Sequence, residues 1–192
     1  MRKNLLLFLF AIPFCFTADA QFNKGTISPH FDIGHLGSIG FIDNNHFKRN
    51  YISFDPGIGY FVKNNWEIGV DINYSHLHFI NKDIANDRED YHSIGLKLYT
   101  NYYLGKGKLK PYLTFQSGWD YKWGNYSVYN TDISANHFYL GLGGGVNWNI
   151  RPGLALFTEA TFRKEFPMNK YGYARPNVTI GVRFFLDRKR KK

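Results

Sequence analysis

The sequence predicts an all-β chain: an eight-stranded antiparallel up-and-down barrel that crosses a membrane, preceded by a cleaved signal peptide. Three observations predict it. Apolar and polar residues alternate in segment after segment, the pattern of strands that turn successive side chains to opposite faces. The segments are long, near the ~9–11 residues that cross a tilted bilayer, whereas soluble strands average roughly 5–6. Beyond the N-terminus no stretch approaches the ~18 apolar residues of a membrane helix, so the chain can enter a membrane only as a closed barrel.

The first element is a targeting segment, residues 1–20. Arg2 and Lys3 form its positive start, Leu5 to Phe16 its short apolar centre, and Ala18-Asp19-Ala20 its small-residue cleavage site. Cys15 lies inside the apolar centre behind Phe14, which is unlike a lipidation cysteine. It is the only cysteine, so the mature chain has no disulfide, thiol nucleophile or cysteine metal site. A closed ladder of strands supplies stability instead.

Residues 21–186 form the barrel. Strands are expected at approximately 26–40, 49–62, 66–80, 92–104, 109–123, 137–149, 154–166 and 176–186. Tight turns join them at Lys63-Asn64-Asn65, at Gly105 to Lys108 and at Arg151-Pro152-Gly153, where the residues favour positive φ or a preset turn. Longer loops, 41–48, 81–91, 124–136 and 167–175, alternate with these turns. Short turns at one end and long loops at the other are expected of an outer-membrane barrel, and an even strand count puts both termini on the short-turn, periplasmic side.

The faces agree between segments. Ile52, Phe54, Ile58 and Tyr60 oppose Ser53, Asp55, Gly57 and Gly59. Trp66, Ile68, Val70 and Ile72 oppose Glu67, Gly69 and Asp71. Ile94, Leu96, Leu98 and Tyr102 oppose Ser93, Gly95, Lys97 and Asn101. Near the short turns the apolar face carries Tyr60, Trp66, Tyr102, Trp148 and Phe184, an aromatic girdle suited to a membrane interface. A second set, including Tyr74, Trp119, Trp123 and Phe138, lies toward the loops. The apolar face is therefore read as lipid-facing and the polar face as the lumen.

The lumen is expected to hold Asp32, Asp55, Glu67, Asp71, Asp120 and Glu159 against Lys97, Lys122, Arg163 and Arg183. An eight-stranded barrel is just wide enough for side chains to fill, and buried charges demand partners. A paired network that plugs the lumen is the structural expectation; a narrow polar path is the transport alternative.

The last strand contains Val178-Thr179-Ile180-Gly181-Val182-Arg183-Phe184-Phe185. With the signal peptide and the eight amphipathic segments, it makes the mature chain resemble the small OmpA/OmpX-type outer-membrane barrels of Gram-negative bacteria, the single-domain, porin-like β-barrel family. That resemblance implies residence in the outer membrane, insertion by the barrel-assembly machinery through the C-terminal strand, and contact with outer-membrane lipids. Leu186 and a basic periplasmic tail, residues 187–192, follow the aromatic pair.

Candidate chemistry is sparse, and neither a catalytic set nor a cofactor is expected. Histidines gather toward the loops: His35, His46, His76, His78, His92 and His137. His76 and His78 share a face, but two alternating histidines without a third ligand do not define a metal site. They read as interfacial residues facing lipid head groups. Asp90, His92 and Ser93 resemble a hydrolytic set on paper, yet neighbouring strand residues point to opposite faces. The His-x-Ser arrangement of lipid A deacylase barrels is also missing. The formal charge of +9 owes much to the tail, for which anionic lipid phosphate is a better partner than nucleic acid. The expected role is structural or surface-binding, as a monomer with an unspecified extracellular partner. A lipid-modifying enzyme is the alternative and a small porin the third reading.

Overall fold

The computed structural model describes residues 22–34, 39–84, 87–126, 131–167 and 174–186. The targeting segment, His35 and the basic tail lie outside them. The strands are β1 (Ile27–Gly34), β2 (Ile39–Asp43), β3 (Phe47–Lys63), β4 (Trp66–Asn81), β5 (Arg88–Tyr103), β6 (Leu109–Tyr126), β7 (Thr131–Arg151), β8 (Leu154–Pro167) and β9 (Ala174–Phe184). Each pairs antiparallel with its neighbours in one sheet. β1 and β2 both pair with β3 and make one stave, so the barrel has eight staves. β1 also pairs with β9, through Phe31 opposite Val182 and Ile33 opposite Ile180, which closes the sheet and removes its edges.

The tight turns fall where expected. Asn65 adopts φ 62°, Gly105 77° and Gly153 82°, the left-handed backbone that asparagine and glycine accept most readily. Both ends of the described chain meet at this rim. The Gly25 amide donates to the Phe61 carbonyl at 2.8 Å, and the Leu186 amide donates to the Ile27 carbonyl at 2.8 Å.

The loop rim differs from expectation. β5 starts at Arg88 rather than 92, β6 runs on to Tyr126 rather than 123, and β7 begins at Thr131 rather than 137. β7 alone has 21 residues, roughly twice the ~9–11 that cross a bilayer. Much of the loop expected at 124–136 is therefore ladder, as are the two ends of the one expected at 81–91. Apolar alternation stops where the apolar belt ends, but backbone hydrogen bonding does not need it. Gly124 still pairs with Ile133, and Asn125 with Asp132.

The faces are distributed as the alternation demands. Leu142 is 67% exposed and Ile180 63%, whereas Arg183 is 2% exposed and Glu67 0%. All five girdle aromatics, Tyr60, Trp66, Tyr102, Trp148 and Phe184, lie exposed on the outer surface. A soluble barrel would bury its aliphatic face. A largely apolar outer belt around a charged interior is the polarity of a barrel solvated by lipid.

Two devices make the interior fit. Inward tyrosines lie directly across from glycines: Tyr99 opposite Gly69, Tyr139 opposite Gly118 and Tyr112 opposite Gly145. A Cβ on Gly69 or Gly118 would sit 2.3 Å from the facing ring, so the rings occupy the space that those glycines leave. The second device is an aromatic floor at the turn rim. Phe22 packs on Phe61, Tyr103 and Phe185 at centroid distances of 5.0, 4.7 and 4.4 Å. The Lys110 ammonium lies 3.9 Å over the Phe22 ring. Phe185, which breaks the alternation of the last strand, follows the end of β9 and joins this floor rather than the lipid-facing surface.

Candidate functional site

The strand periodicity brings most of the expected lumen residues together. Asp32, Asp55, Glu67, Asp71, Lys97, Asp120, Glu159, Arg163 and Arg183 are all buried. Lys122 also points inward, but near the loop rim, where its side chain is 28% exposed. Its ammonium stands 3.7 Å from Glu165 Oε2.

Three groupings fill the barrel. At mid-height Lys97 Nζ lies 2.5 Å from Asp71 Oδ2, 3.7 Å from Asp32 Oδ2 and 3.9 Å from Asp55 Oδ2. These residues come from β5, β4, β1 and β3, so one ammonium ties together strands distant in sequence. His30 Nε2 adds a contact to Asp71 Oδ1 at 2.9 Å. Nearer the turn rim, Glu67 accepts from Arg183 Nη1 at 3.1 Å, Asn101 Nδ2 at 3.1 Å and the Tyr103 hydroxyl at 2.7 Å. It also accepts from the Ser28 and Tyr99 hydroxyls. Such a carboxylate has its lone pairs used, as a charge in a dry interior requires. The third grouping is Glu159, which accepts from Gln116 and from the Tyr112 hydroxyl. Above it, Arg163 lies 4.8 Å over the Tyr139 ring. A cavity of about 10 Å³ remains between His30, Asp71, Lys97 and Glu159, room for roughly one water.

Sequence reasoning missed His30, Gln116, Glu165 and the inward tyrosines Tyr99, Tyr103, Tyr112 and Tyr139. The signal was available for the tyrosines: if Leu98 and Tyr102 face out, Tyr99 and Tyr103 must face in. Their aromatic character concealed that parity.

The outer surface of the loop rim carries a second cluster. One step beyond Tyr74 and Ile94, β4 and β5 place His76 opposite His92 and His78 opposite Asp90. Asp90 Oδ1 lies 2.8 Å from His76 Nε2 and 3.6 Å from His92 Nε2, and Asp90 Oδ2 lies 3.2 Å from His78 Nδ1. The His76 and His92 rings stack at 4.4 Å with a 4° interplanar angle. Trp123 stacks on the other side of His92 at 5.5 Å. The Tyr74 hydroxyl lies 3.0 Å from His92 Nδ1. The hydrolytic set does not assemble: His92 belongs to this outer cluster, whereas Ser93 is buried on the inward face. His46 stands elsewhere, 2.9 Å from Asp83 Oδ2 in an exposed pair.

No protein-family model and no curated protein matches the sequence. Solved structures do match the fold. Neisserial surface protein A superposes with a TM-score of 0.59 at 16% identity, covering 84% of this chain and 99% of that one. The N-terminal β-barrel domain of Pseudomonas aeruginosa OprF gives 0.57 at 14% identity, covering 85% and 98%. A major outer membrane protein from Thermus thermophilus gives 0.52 at 10% identity, covering 84% and 99%. At these identities the likeness concerns the fold, and the chain has the fold of the small eight-stranded outer-membrane barrels.

Proposed function

We propose that this chain is a non-enzymatic, monomeric protein of the outer membrane, with a plugged lumen and a structural or surface-interaction role. The carrying observation is the pairing of charge inside the barrel, above all Lys97 among Asp32, Asp55 and Asp71. Moving an ion through the barrel would mean separating those charges in a medium of low dielectric, which is costly. In this reading residues 1–20 are removed on export, and the barrel-assembly machinery inserts residues 21–186. The turn rim and both mature termini face the periplasm. The aliphatic belt contacts outer-membrane lipid, and the polar loop rim faces outward. The basic tail, residues 187–192, lies near lipid phosphates.

Planar-bilayer recording of the refolded barrel tests the plug. The expected result is a silent membrane, or rare brief openings. Steady, reproducible conductance would overturn the plug and favour a small porin. Lipid mass spectrometry of outer membranes with and without the protein should show unchanged acylation; a specific change would return the enzyme reading.

A further inference from the structure

We propose that the outer face of the β4–β5 hairpin is a binding site for a zinc-class divalent metal ion, with His76, His92 and Asp90 as ligands and His78 as the fourth. The ligands form a square on a ladder. His76 and His78 lie two residues apart on β4, and Asp90 and His92 two residues apart on β5, directly across from them. Alternate residues of a strand share a face, and opposed residues of an antiparallel pair hold their Cβ atoms about 4.5–5.5 Å apart. Three donor side chains, His76, Asp90 and His92, therefore meet on one face without help from a loop, and His78 stands beside them, 3.2 Å from Asp90.

One ligand atom from each of His76, Asp90 and His92 lies within 4.8 Å of the others. A tetrahedral ion with bonds of about 2.0–2.1 Å needs donors about 3.3 Å apart. Asp90 Oδ1 already stands 2.8 Å from His76 Nε2 and 3.6 Å from His92 Nε2, close to that spacing, and the four side chains are partly open to solvent, so an ion can reach them. The surrounding residues suit the role. The Tyr74 hydroxyl engages His92 Nδ1 and leaves Nε2 turned to Asp90, the orienting contact that metal-bound imidazoles commonly have. Trp123 supports the other side of that ring.

The donor set chooses the ion. Three imidazoles and one carboxylate suit zinc and its copper and nickel neighbours, whereas calcium and magnesium seek six or more oxygens. A carboxylate at the centre of the histidines also disfavours an anion such as phosphate. The site stands on hairpin geometry and does not depend on whether the lumen conducts.

The test is calorimetric titration of Zn²⁺ into the untagged, refolded full barrel in detergent. One ion should bind per barrel. His76→Ala and His92→Ala should each weaken binding by at least ~100-fold, and Tyr74→Phe by about 10-fold, while His46→Ala leaves it unchanged. Folding of each variant is checked by its heat-modifiable migration on a gel. Asp90→Asn, which preserves shape, carries the same expectation as the alanine variants should one of those fail to fold. No stoichiometric binding by the unaltered barrel would overturn the proposal, as would equal affinity in His76→Ala, His92→Ala and Asp90→Asn.

Discussion

The two rims of this barrel are built on different principles. At the turn rim the chain reverses on left-handed residues, an aromatic floor fills the interior, and Glu67 takes five donors while fully buried. At the loop rim the strands run past the apolar belt as polar ladder, and the ion pairs lie wholly or partly in solvent. A charged group at the turn rim has no alternative to its protein partners, because water is excluded. At the loop rim solvent or a ligand can take the partner's place. The first end holds the barrel together, and the second is free to carry chemistry.

The largest effect that this contrast predicts is for Glu67→Ala. Arg183 would be left buried without its carboxylate, and loss of one partner of a buried pair costs about 3–5 kcal/mol. Urea unfolding from lipid vesicles should show a large fall in midpoint, and a change under about 1 kcal/mol would mean that the turn-rim network is not dry. The smallest effect is expected for His46→Ala. Its side chain is 74% exposed and that of its partner Asp83 59%, so stability should stay within about 0.5 kcal/mol of the unaltered protein. A loss comparable to that of Glu67→Ala would erase the distinction between the rims.

The parts of the fold legible in the sequence are those where one physical signal dominates. Alternation gave the strands and their faces, because lipid outside and side-chain packing inside impose opposite demands on neighbouring residues. Asn65, Gly105 and Gly153 marked the turns, because positive φ restricts the choice of residue. The loop-rim strand ends were not legible, since a hydrogen-bonded ladder in water leaves no apolar pattern. That blindness also hid the histidine cluster. The sequence pattern puts Asp90 and Tyr91 in a loop, and only the β4–β5 register brings Asp90-Tyr91-His92 opposite His76-Leu77-His78. The lumen charges were legible by parity, but which acid meets which base depends on pairing across four or more strands. Phe185 looked like an error in the alternation, and its partner Phe22 lies at the far end of the barrel sequence.

The whole arrangement rests on the parity of β5, which turns Ile94, Leu96 and Leu98 to lipid and Gly95, Lys97 and Tyr99 to the lumen. The sequence has one cysteine, Cys15, within the segment expected to be removed, so single cysteines can be introduced cleanly in the barrel. A fluorophore would be attached at positions 94 to 99 in turn, and its quenching measured in vesicles made with brominated lipid. Labelled barrels should refold and be strongly quenched at 94, 96 and 98, whereas a label at 95, 97 or 99 meets the filled lumen and should keep the barrel from refolding. Refolded, strongly quenched barrels labelled at 95, 97 or 99, or none at 94, 96 and 98, would overturn that assignment of faces.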